Sequence, residues 1–280
     1  MYLIDSHTHS LISPDSKAPL LHMVQAAAAA GVGEYCVTDH ADLLDWHGHL
    51  DPHFNWAGAR AQYQTVIEHW THPMAIRLGL ELGCTPYAPQ EARRIVAGGG
   101  GELDFVLGSI HNWIGLEDNI DLYFTDFSHN PALCRKAMDN YLEHVWKLVH
   151  LYPDCYDSLA HLTYPLRYMA RDGQRLHLPD YEGPIREILS EVARTGHALE
   201  VNTNRGTALE WWELLLDWFR EAGGVHVTMG SDAHRPEDVA RALPEAVRLL
   251  VRAGFEHVTT YVKRQPVLHR LDNIKGANVS

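Results

Sequence analysis

Residues that commonly hold metal ions recur in this chain at one kind of place, the C-terminal end of a predicted strand: His7 and His9, Asp39 and His40, Glu81, His111, His161, and Asp232 with His234. One His-x-His pair would constrain little. Six such placements, each just after an apolar run, require strands that run the same way and deliver their ends to one mouth, as in a parallel barrel with its chemistry on the loops that follow the strands.

The rest of the pattern agrees. Strand-like runs cover residues 2–5, 33–38, 75–80, 105–109, 156–160, 198–201 and 225–229. Helical patterns at 20–30, 56–72, 89–97, 131–152, 181–195, 209–222 and 236–253 alternate with them, several opened by proline, which suits a first helical turn. Alternation of this kind builds parallel sheets from βαβ units. The expectation is an α/β fold, a (β/α)7 TIM-like barrel. No repeat or linker interrupts it, and the 280 residues with 46% hydrophobic content suffice for one large core, so residues 1–280 are expected to form one domain.

Charge and composition narrow the function. A formal charge of −13 repels phosphate backbones, which excludes a nucleic-acid surface and leaves a small phosphorylated molecule as the kind of partner expected. No run of about 18 apolar residues is present, and the opening Met1-Tyr2-Leu3-Ile4-Asp5 lacks the features of an export signal. A cytoplasmic location without membrane attachment is expected. Cys36, Cys84, Cys134 and Cys155 form no C-x-x-C pair and read as buried thiols, without disulfides or a cysteine-metal site.

Two residues apart on extended chain, His7 and His9 can reach the same ion. Glu81 follows the apolar Ile76-Arg77-Leu78-Gly79-Leu80, where a carboxylate is costly unless paired or metal-bound, so a bridging role is expected. The segments His7-Thr8-His9, Thr38-Asp39-His40, Gly79-Leu80-Glu81, Gly108-Ser109-Ile110-His111, Ala160-His161-Leu162 and Gly230-Ser231-Asp232-Ala233-His234 resemble the motifs of the PHP (polymerase and histidinol phosphatase) family, in order and over nearly the whole barrel. Within the family the chain is most similar to the histidinol-phosphate phosphatases, through Ser13-Pro14-Asp15-Ser16, His161-Leu162-Thr163-Tyr164 with Arg167, and Leu199-Glu200-Val201-Asn202-Thr203.

That resemblance implies a distorted (β/α)7 barrel with three divalent ions, zinc, iron or manganese. His7, His9, Glu81 and Asp232 would hold the first, Glu81 with His111 and His161 the second, and Asp15, His40 and His234 the third. Glu81, Asp232 and His234 would be catalytic. Arg167 and Arg205 would bind the phosphate, since the planar guanidinium suits a phosphoryl dianion. Two departures stand out: Arg205 lies one position later than the resemblance leads one to expect, and Thr163 replaces a common aspartate after the His-Leu pair.

The implied activity is hydrolysis of L-histidinol phosphate in histidine biosynthesis. Two other readings stay open at this point: a phosphoesterase for another small phosphate such as a nucleotide or sugar phosphate, and a non-catalytic metal-binding partner subunit. His47, His49 and His53 follow the second strand and read as a solvated loop rather than a lid. Trp113, Tyr123 and Tyr164 follow strand-end ligands and are candidates to stack on an imidazole.

Overall fold

The computed structural model describes residues 3–274, so Tyr2, with which the first strand was expected to begin, lies outside the described residues. The elements run β1 (Leu3–Asp5), α1 (Leu20–Ala29), β2 (Val32–Val37), β3 (His40–Asp42), α2 (Trp56–His69), β4 (Ala75–Gly83), α3 (Pro89–Gly99), β5 (Phe105–Ser109), α4 (Pro131–Leu151), β6 (Ser158–Leu159), α5 (Tyr164–Arg171), α6 (Glu182–Thr195), β7 (Ala198–Asn202), α7 (Trp212–Glu221), β8 (Val227–Gly230), α8 (Leu243–Arg252), β9 (His257–Val262) and β10 (Gln265–Arg270).

Seven parallel strands pair in the order β1, β2, β4, β5, β6, β7, β8, with the short β3 extending the pairing to β4. Beyond β1 and β8 the chain completes the ring, because Ser6 N–H donates to Met229 O and Asp232 N–H to His7 O, each at 2.9 Å. The expected seven-stranded TIM-like barrel is therefore the architecture. Alternation along each strand sorts its side chains into two layers. Val106 faces the helices, whereas its neighbours Phe105 and Leu107 fill the barrel interior with Cys36, Ala160, Ala198 and Tyr261.

Three differences from the expected elements have physical causes. The helix expected over 236–253 is divided: Ala240 and Ala242 take φ of 62° and 59°, which breaks the helical path before α8. The eight-residue α5, with Pro165 in its first turn, follows at once on the strand-end segment His161-Leu162-Thr163 and is short enough to read as part of that loop. The β9–β10 hairpin escapes a pattern reading because β10 is exposed along most of its length.

That hairpin closes the end of the barrel opposite the mouth. Its tip lies against the residues that enter β5 and β6: Lys263 N–H donates to Asp104 Oδ1 at 2.9 Å, and Arg264 Nε to Asp157 Oδ1 at 3.0 Å. Tyr261 stacks on Phe105 with centroids 5.0 Å apart. The floor is thus sealed by packing and hydrogen bonds, and the open end is the one where the strands finish.

Helix ends follow local chemistry. Asn130 opens α4 by accepting Leu133 N–H, with Pro131 in the first turn, and Gly196 ends α6 at φ 74°. At the mouth, Gly230 is needed for space: a Cβ there would sit 2.2 Å from His7 Cβ and 2.6 Å from Glu200 Oε1.

Candidate metal centre

Four side-chain atoms meet at the end of β1. His7 Nε2 lies 3.1 Å from His9 Nε2, 3.0 Å from Glu81 Oε2 and 3.7 Å from Asp232 Oδ1. His9 Nε2 is 3.5 Å from each of the same carboxylate oxygens. A tetrahedral ion with ligands at roughly 2.0–2.2 Å separates its donors by about 3.3–3.6 Å, so these spacings suit one.

Tautomers sharpen the argument. His7 Nδ1 is 2.6 Å from Glu200 Oε1 and must carry the proton, since a carboxylate only accepts. His9 Nδ1 faces Ser13 Oγ at 3.1 Å, and that hydroxyl spends its proton on Asp39 Oδ1 at 2.8 Å. Both Nε2 atoms of the neutral rings therefore present lone pairs to one another and to two carboxylates. Converging lone pairs repel unless a cation or extra protons lie among them.

The second oxygen of Glu81 serves another group. Oε1 is 2.8 Å from His161 Nε2 and 2.9 Å from His111 Nε2, and these two nitrogens are 3.3 Å apart. Behind His111, Nδ1 lies 2.8 Å from Asp42 Oδ1. Nothing comparable stands behind His161, whose buried Nδ1 has no partner among the described residues. Thr163, the departure noted above, is buried nearby in sequence, and no hydrogen bond joins its side chain to that nitrogen.

A third group lies nearer the opening. Asp15 Oδ2 is 2.8 Å from His234 Nε2 and 3.6 Å from His40 Nε2. His40 Nδ1 comes within 3.2 Å of both Asp42 Oδ2 and Glu81 Oε2, yet neither contact is aligned as a hydrogen bond and the atom has no hydrogen-bond partner among the described residues. All nine residues expected as ligands thus converge. Asp39 does not join them: its carboxylate accepts from Ser10 N–H, Ser10 Oγ and Ser13 Oγ.

The backbone is bent to achieve this. His161 and Asp232 have φ of 22° and 60°, conformations that cost about 1–3 kcal/mol each and persist where neighbours hold them. At His161 the holding groups are Glu200 Oε2, which takes its N–H at 2.8 Å, and Tyr141 OH, which donates to its carbonyl at 3.0 Å.

Burial and charge oppose one another throughout. Burial disfavours charge on Glu81, but His7, His40 and His111 overcome it and hold the carboxyl well below the usual range. Burial likewise works against His111, and Asp42 and Glu81 raise it to about 10. His7 is raised in the same way by Glu200 and Glu81. His9, buried and beside His234 and His40, falls to about 3. A cluster so strongly coupled stores protons where cations would otherwise sit.

Above the three groups opens a cavity of about 610 Å³, lined by Arg167, Arg205, Tyr164, Tyr123 and Asp121 among others. Arg167 donates to Asp232 Oδ2 and to Asn202 Oδ1, both at 2.8 Å, and stands over the Tyr164 ring. Arg205 adopts φ 56°, its N–H donating to Ser231 O at 3.0 Å, and this turn carries it to the cavity wall despite its shifted position. Tyr123 and Tyr164 line the cavity, whereas Trp113 is fully buried, its Nε1 donating to Thr125, and belongs to the packing. His49 and His53 are exposed, each against a neighbouring aspartate of its own loop.

Asp42, Glu200, Asn202 and Asp121 had no role from sequence. The first three act through another residue's side chain, and Asp121 stands alone in an irregular stretch.

Comparisons with known proteins fit this geometry. The model of the PHP domain matches residues 5–204. The chain is 27% identical over 270 residues to the histidinol-phosphatase of Lactococcus lactis subsp. lactis, covering 93% of this chain and 95% of that protein. It is 25% identical over 267 residues to a probable histidinol-phosphatase of Thermotoga maritima, covering 94% and 97%. The crystal structure of histidinol phosphate phosphatase from Lactococcus lactis subsp. lactis, complexed with zinc, L-histidinol and phosphate, superposes with a TM-score of 0.80 at 26% identity, over 95% of this chain and 98% of that one.

Proposed function

The chain belongs to the PHP family, and from that premise we propose that it is a metal-dependent phosphomonoesterase that hydrolyses L-histidinol phosphate to L-histidinol and inorganic phosphate. The observation that carries this reading is the division of Glu81 between two donor groups, Oε2 with His7, His9 and Asp232 and Oε1 with His111 and His161, at the base of an arginine-lined cavity.

The donor sets suit three divalent ions. His7, His9, Glu81 and Asp232 would hold the first, Glu81, His111 and His161 the second, and Asp15, His40 and His234 the third. Imidazole with carboxylate fits zinc, manganese or iron, and zinc is the ion named with the Lactococcus structure. Such ions, once bound, supply Lewis acidity that makes water a nucleophile near neutral pH and neutralises phosphoryl oxygens.

The chain's own groups do the rest. Arg167 is fixed by Asp232 and Asn202, and its buried Nε has no partner among the described residues, which suits it to an anion. Arg205 adds a second cation at the wall. Together they compensate the phosphate dianion, which an acidic protein of net charge −13 would otherwise repel. Glu81 and Asp232 stay ionised because their neighbours hold them so, and His234 stands beside Asp15 nearer the opening. We place the protein in histidine biosynthesis in the cytoplasm, acting on a small soluble ester; among the described residues no helix is long and apolar enough to cross a membrane.

Phosphate release tests the proposal. Protein reconstituted separately with zinc, manganese and iron is assayed on L-histidinol phosphate and a panel of sugar and nucleotide phosphates, with a chelator-treated control. A kcat/KM for L-histidinol phosphate at least about a hundredfold above the panel, abolished by chelation, supports it. Chelator-sensitive activity led by another ester keeps the phosphatase and replaces the substrate, and no activity with any metal points to a binding subunit.

A further inference from the structure

Five carboxylates line the cavity: Asp15, Asp42, Glu81, Asp121 and Asp232. Four of them face histidines or Arg167 at 3.8 Å or less. Asp121 differs. Its Oδ1 accepts Tyr123 N–H at 2.7 Å and the Tyr164 hydroxyl at 3.4 Å, and among the described residues no donor reaches Oδ2. Asp121 is half-buried and lines the cavity, and its Oδ2 is not among the fully buried atoms left without a partner.

The surroundings are aromatic. Trp46 and Phe124, also on the cavity wall, have ring centroids 6.3 Å apart. The ring of Tyr164 separates the acid from the metal-ligand groups: it lies 4.9 Å from the rings of both His111 and His161 and carries Arg167 5.4 Å from its centroid. Arg167 and the metal donors thus lie on one side of Tyr164 and the Asp121 carboxylate among rings on the other, where the guanidinium of Arg171, also on the wall, is taken up by Asp172 and by the Tyr123 and Thr125 carbonyls.

A molecule with a phosphate at one end and N–H donors at the other matches this polarity. We propose that Asp121 Oδ2 binds a nitrogen-borne proton of the leaving group, on the α-ammonium or on the imidazole, and so selects L-histidinol phosphate among phosphomonoesters; the inference rests on the substrate assignment above. Burial pushes the Asp121 carboxyl up to about 6, so it is ionised at neutral pH while holding a charge that only a partner would relieve. Hydrogen bonds to a charged group of this kind contribute roughly ten- to a hundredfold in affinity.

The test is the Asp121→Asn variant of the metal-reconstituted protein, since asparagine keeps an oxygen for Tyr123 N–H and offers N–H where Oδ2 was. Asp121→Ser, which can also accept from Tyr123, is the second variant should the first not fold. The readout is kcat/KM for L-histidinol phosphate and for phosphoethanolamine, each divided by that for p-nitrophenyl phosphate. A fall of about tenfold or more in the L-histidinol phosphate ratio alone supports the inference through the imidazole, and a fall in both ratios supports it through the ammonium. Unchanged ratios, including a uniform loss on all three esters, overturn it and leave Asp121 as a turn cap. Wild-type protein without preference for L-histidinol phosphate over p-nitrophenyl phosphate overturns the substrate assignment itself, and the inference with it.

Discussion

Glu200 Oε1 stands 2.6 Å behind His7 Nδ1, on the side of the ring away from Glu81. The pair fixes the His7 tautomer and raises the basicity of Nε2, as carboxylates behind metal-bound histidines generally do, with effects of about 10–100-fold on metal affinity. The Glu200→Gln variant should therefore bind zinc about 10–100-fold more weakly in competition with a chromogenic chelator. Equal affinity in the two proteins would show that the His7 ring is oriented by something else.

Asp42 makes a parallel case at His111, and it governs pH. In chelator-stripped protein His111 is raised to about 10, against burial, by Asp42 and Glu81, and His7 and His40 are raised too. A histidine whose folded pKa exceeds its unfolded value near 6.5 adds stability that is complete below 6.5 and is lost as pH climbs through the folded value. His9, at about 3, and the lowered His161 are neutral across this window. The Tm of stripped protein should thus fall between pH 7 and 10. Zinc binding at pH 7 should release protons, and its apparent affinity should rise with pH; calorimetry in buffers of different ionisation enthalpy reads both, and a stripped protein whose Tm rises over that range contradicts the assignment.

Arg167 and Arg205 should separate kinetically. Arg167 touches Asp232 and Asn202, so on the proposed reading Arg167→Ala would remove an oriented phosphate donor and free a proposed ligand carboxylate. We expect a loss of about 10²–10³ in kcat, the usual range for one preorganised donor. Among the described residues the Arg205 side chain hydrogen-bonds to Asn204, and Arg205→Ala should act mainly on KM. Steady-state constants on L-histidinol phosphate decide it, and the reverse ranking would exchange the two roles.

The floor of the barrel should matter to stability and not to turnover. Arg264→Ala leaves the buried Asp157 carboxylate without its ion-pair partner, at a cost of about 1–3 kcal/mol. Thermal denaturation should show a lowered Tm with kcat and KM unchanged. A kinetic effect would mean that the hairpin communicates with the mouth.

The convergence of the candidate ligands was readable before folding because a parallel barrel converts sequence position into place: a residue just past a strand arrives at the mouth. His7, His111 and His161 needed no further information. Asp42 was silent, and Glu200 belonged to a resembling segment but carried no role, because what each does is set by the ring in front of it, which no spacing encodes. Asp121 gave no signal either, lying in a stretch held by bonds to Trp46 and His111 backbone atoms from distant segments. Arg205 was readable as a residue and not as a position, since a left-handed backbone at φ 56° resets where its side chain goes. The β9–β10 hairpin was missed because its stabilising partners, Asp104 and Asp157, lie more than a hundred residues earlier.

The closure between β1 and β8 sets an order of events during synthesis. Asp5 takes Ser231 N–H and hydroxyl across 226 residues of chain, so His7 and Asp232 cannot meet until nearly the whole polypeptide has left the ribosome. While growing, the chain lacks Asp232 and His234, so the groups around His7 with His9 and around Asp15 with His40 stay incomplete. An ion that needs those two groups complete would therefore be taken up by a finished barrel, from whatever the surroundings supply at that moment.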